Sequence, residues 1–259
     1  MKLATFNING IKARLPALLD WLREAQPDAA VLQEIKSEDA AFPRTEIEDL
    51  GYNLETHGQK GFNGVAILSK RPLEDVTRGL PGADDDEQAR WIEATIVGDE
   101  TACRLCGLYL PNGNPAPGPK YDYKLAWMNR LEARARDLLT SEMPVAMMGD
   151  YNVIPEPRDC WDPKVWADDA LFLPQTRAAF RRILHLGFTD ALRAMEDGEA
   201  YTFWDYQGGG WRRNHGIRID HALLSPQAAD RLRAVGIEKD VRGRDKPSDH
   251  VPLWVDLAL

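Results

Sequence analysis

The sequence predicts an α/β chain in which two β-sheets pack face to face and helices cover the outside. Three observations lead there. Short apolar runs of strand length recur along the whole chain. A few longer segments carry apolar residues at helical spacing instead. No repeat, low-complexity tract or polar linker divides the 259 residues, so a single domain over 1–259 is expected. A two-domain α/β arrangement is the alternative.

Taken in order, LATFN (3–7) reads as the first strand, and 14–25 as a helix whose segment ALLDWLREA repeats its apolar residues at helical spacing. AAVLQ (29–33) and GVAIL (64–68) are strands. ADDDE (83–87) is a solvated acidic loop. RWIEATIV (90–97) and CRLCGLYL (103–110) are two more strands, and the Pro- and Gly-rich stretch PNGNPAPGP (111–119) is a loop. In the helix 120–141, KLAWMNRLEARARDLL holds the helical period over several turns. PVAMMG (144–149) is a buried strand and 174–185 a helix. QGGG (207–210) is a loop, and IRIDHALL (217–224) and VPLWVDL (251–257) are the last strands.

Hydrophobic content of 44% and charged content of 28% are those of an ordinary globular protein. No apolar run reaches the length of a membrane span, and MKLATFNINGIKARL lacks the hydrophobic region of a signal peptide. The expected location is the cytoplasm. Cys103, Cys106 and Cys160 are an odd set, unlike a secreted disulfide framework. Cys103 and Cys106 have C-x-x-C spacing, but on a strand they face opposite sides, and no second pair completes a zinc site. They are expected to be reduced. A net charge of −9 counts against a protein that coats nucleic acid with an overall basic surface. A local basic groove remains compatible with it.

The informative feature is where the apolar runs end. Asn7 closes LATFN, Glu34 follows AAVLQ, and Tyr109 and Asn112 close GLYLPN. VAMMG delivers Asp150 and Asn152, Asp220 interrupts IRIDHALL, and Asp249 and His250 precede the last strand. Each alone has an ordinary reading as a turn former, a strand end or a buried ion pair, such as Asp220 with Arg218. Together they place acids and amides beside apolar strands, which is costly unless they are paired or hold a cation. Oxygen donors without a cysteine or histidine cluster suit Mg²⁺ or Mn²⁺. A histidine beside an acid can stay charged and face a phosphate oxygen, and another acid can handle a water. The chemistry that uses these parts is hydrolysis of a phosphoester. No G-x-S-x-G or Cys–His signal supports a covalent route.

TFNINGIKARL, LQEIKS, GFNGVAILS, GLYLPNGN, GDYNVIPE, RIDHALLS and SDHVPL occur in the order found in the endonuclease–exonuclease–phosphatase superfamily. The chain resembles its bacterial exonuclease III / abasic-site endonuclease branch from Lys2 onward. The resemblance implies a four-layered αββα sandwich and Mg²⁺-dependent incision of duplex DNA 5′ to an abasic site, with Mn²⁺ as a possible substitute. It also implies 3′→5′ exonuclease and 3′-phosphatase or phosphodiesterase activity. The implied partners are double-stranded DNA with abasic sites or 3′ ends, met in the bacterial nucleoid. The residues themselves, without an exposed apolar heptad, a long edge or a membrane span, suggest a monomer that binds no membrane.

By the same resemblance Glu34 is the main metal ligand, with Asn7 beside the metal and Asp249 holding the metal or the histidine. Tyr109, Asn112 and Asn152 face the phosphate. Asp150 handles the attacking water or the leaving oxygen, and Asp220 orients His250 towards the scissile phosphate. The stretch 200–220 resembles a loop that enters DNA. Phe203, Trp204, Ile217 and Ile219 are its pocket walls, with ordinary core as the competing reading for the two aromatics. Trp211 and Arg212, with Arg213, press on the minor groove, and Asn214 contacts a phosphate. Lys36, Lys120, Arg242, Arg244 and Lys246 are available to neutralise the backbone. The rivals are another phosphodiester substrate within the superfamily and a DNA-binding protein without catalysis.

Overall fold

The computed structural model describes residues 1–259. In chain order it holds β1 (Lys2–Asn7), α1 (Ile11–Ala25), β2 (Ala29–Gln33), α2 (Arg44–Glu48), β3 (Asn53–His57), β4 (Val65–Ser69) and β5 (Leu73–Arg78). Then come β6 (Trp91–Val97), β7 (Ala102–Tyr109), α3 (Pro119–Leu139), β8 (Val145–Asp150), α4 (Pro174–His185), β9 (Thr189–Asp190) and α5 (Ala191–Met195). The last elements are α6 (Gly210–Arg213), β10 (Asp220–Leu224), α7 (Pro226–Ala229), β11 (Leu232–Ile237) and β12 (Leu253–Leu257). The strands form two six-stranded mixed sheets, ordered β11-β12-β1-β2-β4-β3 and β5-β6-β7-β8-β10-β9.

The apolar runs supply the interior of both sheets. The four strands without such a run, β3, β5, β9 and β11, are the four sheet edges. The reason is physical: one side of an edge strand meets solvent, so charged and half-exposed residues are tolerated there, as in LEDVTR of β5. The segment 217–224 is shorter as a strand than expected. Ile217 forms only isolated bridges, to Cys160 and Phe203, and the ladder starts at Asp220. The Gly-rich 207–210 stretch is a helical turn leading into α6, not an open loop. In the acidic run, Asp84, Asp85 and Glu87 are exposed, but Asp86 accepts from the Tyr123 hydroxyl and pairs with Arg130, which fastens the run to α3.

Alternation along the strands builds the layers. Leu3, Val31, Ile67, Leu105, Met148 and Leu253 meet between the sheets. Met147 and Leu108 face outward beneath Trp127 and Leu131 of α3 and Phe180 of α4. Phe6, Leu32 and Ala66 face outward beneath Leu18 and Trp21 of α1. The result is helices, sheet, sheet, helices. Cys103 lies between the sheets and Cys106 in the helix-facing layer; both are free and buried. No helix is long and apolar enough to cross a membrane.

Register brings the polar ends together. β1 and β2 run parallel, with Asn7 opposite Gln33, so Glu34 follows at the same end. β7 and β8 are also parallel, with Tyr109 opposite Asp150. β10 runs antiparallel to β8 and begins with Asp220 opposite Asp150. Gly149 makes this approach possible, because a Cβ there would lie 2.0 Å from the Leu108 carbonyl oxygen.

Candidate active site

The strand ends surround a cavity of about 250 Å³. Asn7 reaches across the gap between the sheets. Its amide nitrogen donates to Glu34 Oε1 and to Asp150 Oδ2, each at 3.0 Å. Its oxygen accepts the Asn9 N–H at 3.0 Å, which fixes the orientation of the amide. Asn7 thus brackets two carboxylates, one from each side of the cavity. Lys36 pairs with Glu34 Oε2 at 2.9 Å and donates to Asn9 Oδ1 at 2.6 Å. Asn9 in turn donates to Asp249 Oδ1 at 3.0 Å.

His250 sits in the segment entering β12. Its Nδ1 donates to Asp220 Oδ2 at 2.8 Å, which leaves Nε2 facing Asp150 Oδ2 at 3.7 Å. Burial opposes the imidazolium, but Asp220, Asp150 and Asp249 outweigh it and raise the pKa to about 10. Burial also pushes the Asp150 carboxyl up, helped by Asp220 and Glu34 against the pull of His250. Burial acts on Glu34 too, yet hydrogen bonds from Asn7 and Lys36 and the Lys36 charge bring it below the usual carboxylate range. The Tyr109 phenol is held neutral by burial and by the Glu34 and Asp150 charges. Two neighbouring carboxyls thus carry opposite shifts, a pattern that separates acid–base work from charge binding.

Glu34, Asp150 and His250 place ligand atoms within 4.8 Å of one another. A protonated His250 cannot bind metal, so the donors that remain are carboxylate oxygens, a set that fits a hard cation. Asn152 stands at φ +47 beside them. Its N–H donates to Asp150 Oδ1 at 2.8 Å, its Nδ2 to the Leu110 carbonyl at 2.9 Å, and its Oδ1 accepts from Asn112 at 3.2 Å.

The family model described as the endonuclease/exonuclease/phosphatase family matches residues 4–250. The chain belongs to this family. Exodeoxyribonuclease III of Haemophilus influenzae is 36% identical, with 99% of each chain covered. An AP endonuclease from Archaeoglobus fulgidus superposes with a TM-score of 0.95 at 37% identity, and a 3′ phosphatase, NExo, from Neisseria, bound to a product DNA hairpin, with 0.96 at 36%. Both structures are covered in full, as is this chain. The sandwich described above is therefore the fold of these endonuclease/exonuclease/phosphatase relatives.

Among the remaining residues singled out in the sequence, Phe203, Ile217, Ile219 and Asp249 line the cavity, and the Phe203 ring lies edge-on to His250 at 5.0 Å. Trp204 does not line it. It is fully buried with Tyr201 and Val251, and its indole N–H donates to Asn214 Oδ1 at 3.2 Å. Adjacent residues of an extended segment point opposite ways, so Phe203 and Trp204 cannot share a wall. Asn214 also accepts from Lys239 at 2.9 Å and borders a separate hollow with Tyr201 and Glu196. Trp211 packs on Trp204 at 5.0 Å and Arg212 is exposed, both outside the cavity. Exposed Lys120 borders a neighbouring hollow with Arg90 and Asn112. Arg218 does not pair with Asp220. It donates to Asp159 at 2.7 Å, to Asp190 at 2.8 Å and to His221 Nδ1 at 2.9 Å.

Sequence reasoning missed Asn114, Trp166, Asp169 and Asp205, which also line the cavity. Asn114 donates to Asp169 Oδ1 at 3.0 Å and accepts the Ala170 N–H at 3.1 Å, so it ties the 111–119 loop to the 160–172 segment. Its place in PNGNP, two residues from Asn112, was a usable signal; Trp166 carried none.

Proposed function

We propose that this chain, acting as one domain over 1–259, is a metal-dependent DNA repair nuclease. It hydrolyses the phosphodiester 5′ to an abasic site in duplex DNA and acts on 3′ ends as an exonuclease and phosphatase. The observation that carries the reading is the pair formed by a charged His250, held by Asp220, and Asp150 with a raised pKa, both facing one cavity. The names of its relatives, exodeoxyribonuclease III, AP endonuclease and a 3′ phosphatase with product DNA, agree with it.

Each group has a task in that reaction. Asp150 takes the proton of the attacking water, and its raised pKa suits transfer near neutral pH. His250 sets a positive N–H against a phosphate oxygen as charge develops there, and Asn152, Asn112 and Tyr109 donate to the same group. Mg²⁺, or Mn²⁺ in its place, held by Glu34 with Asn7 and Asp249 beside it, would supply charge neutralisation at the phosphate. Phe203, Ile217, Ile219 and Trp166 offer apolar walls that accommodate a baseless sugar and exclude a nucleotide with its base.

The test is nicking of a duplex that carries one abasic-site analogue, with Mg²⁺ and with EDTA, beside an undamaged duplex. Metal-dependent incision 5′ to the lesion, lost in Asp150→Asn, is the expected result. Equal cutting of both duplexes, or cutting that persists in EDTA, overturns the proposal.

A further inference from the structure

Lys124 is a buried cation that neither the cavity nor the salt bridges account for. It lies on the inner face of α3, fully out of solvent. Its ammonium donates to two main-chain carbonyls, those of Asn112 at 3.0 Å and Asn152 at 2.5 Å. Burial pulls its pKa down to about 7, against the attraction of Asp150 and Asp169. Packing alone does not call for a charge here, since an apolar side chain fills such a position at less desolvation cost.

The two carbonyls belong to the residues whose amides meet at the cavity. Asn112 follows β7 and Asn152 follows β8, and their side chains are joined at 3.2 Å. Asn152 has a left-handed backbone at φ +47, an uncommon conformation that Asn tolerates better than most residues. Its N–H is held by Asp150 and its carbonyl by Lys124, one on each side of the residue. Gly113, at φ +91, lets the loop close onto the lysine stem, because a Cβ there would lie 2.6 Å from Lys124 Cδ.

We propose that Lys124 is a positioning residue that, by holding the Asn152 carbonyl, sets where the Asn152 amide, and the Asn112 amide joined to it, meet the scissile phosphate. The role rests on the reading of the cavity as a phosphoester site. It predicts that Lys124 acts on the chemical step through Asn152 and contributes little to DNA affinity.

A double-mutant cycle tests this with Lys124→Met, Asn152→Ala and the pair, by single-turnover cleavage and by DNA binding in EDTA. Lys124→Met is expected to slow cleavage about 10²-fold, the scale of a small misplacement of catalytic groups, with a Kd within a few-fold. The double variant is expected to be no slower than Asn152→Ala alone. Losses that multiply in full, or an unchanged rate in Lys124→Met, overturn the role. Circular dichroism and thermal melts establish that each variant folds. If Lys124→Met does not fold, Lys124→Gln, which keeps a donor for one carbonyl, is judged by the same criterion. The cycle is read on whichever DNA phosphoester the unaltered protein hydrolyses, so a wrong lesion and a wrong role for Lys124 give different results.

Discussion

Asp220 opens β10 of one sheet, His250 lies in the segment entering β12 of the other, and they meet at 2.8 Å, carboxylate to Nδ1. The bond fixes the ring so that its other nitrogen faces Asp150. In Asp220→Asn the ring keeps a neighbour of the same shape and loses the charge that most favours imidazolium. Because Asp220 raises the His250 pKa, its removal lowers it, and the proton leaves at lower pH. The alkaline limb of kcat/KM therefore moves from above pH 9 towards neutrality, and the rate at pH 8 falls about 10²-fold. Paired pH–rate profiles check this, and a limb that stays in place refutes it.

Glu34→Ala removes the carboxylate that holds the proposed cation and leaves Lys36 without its ion-pair partner. Mg²⁺ affinity is expected to fall by more than about 100-fold, while duplex binding in EDTA persists. Titration of activity with Mg²⁺ separates the cases. A rate that recovers at high metal supports a ligand role; an unchanged metal dependence removes Glu34 from the site.

His221 makes acid stability a property of the buried network behind the cavity. Its Nδ1 accepts from Arg218 and its Nε2 donates to the Val153 carbonyl at 2.9 Å, so the neutral ring has both nitrogens satisfied. Burial, then the Arg218 charge, lowers its pKa from 6.5 to about 4. The unfolded chain takes up this proton first. The contribution is therefore complete above pH 6.5 and lost as pH falls towards 4. Urea unfolding at pH 7 and pH 4.5 should differ by about 2–3 kcal/mol from this residue. That part of the difference should vanish in His221→Gln.

Trp166 closes the cavity together with Phe203, Ile217 and Ile219. In Trp166→Ala the opened wall should admit larger groups. The ratio of kcat/KM for an abasic over an intact nucleotide is expected to drop about 10–100-fold. Competition between the two duplexes measures it directly, and an unchanged ratio assigns selectivity elsewhere.

The central strands could be read from the chain because burial on both faces writes itself as a continuous apolar run, as in AAVLQ and VAMMG. The edges could not, since no residue of β5 or β11 is fully buried and both carry charges on exposed positions. The same contrast divides the cavity. Glu34, Asp150 and Asp220 stand out because a carboxylate ends or interrupts an apolar run. Trp166 and Asp169 lie in an irregular segment without periodicity, and a bond from a distant loop, Asn114 to Asp169, brings them to the cavity. Trp204 was misplaced for a related reason. Composition shows that 203–204 is aromatic, but only the backbone path decides which ring faces the cavity and which faces the core.

The pairing of β1 with β12, Leu3 opposite Val255, also fixes when the cavity can be completed. Asn7 and Glu34 emerge from the ribosome early, Tyr109 and Asp150 midway, and His250 only after nearly the whole chain has been made. Until then β1 lacks one of its neighbours, and the acids have no imidazolium between them. A copy truncated before β12 thus carries Asn7, Glu34, Tyr109 and Asp150 without the imidazole that the full chain sets beside Asp150.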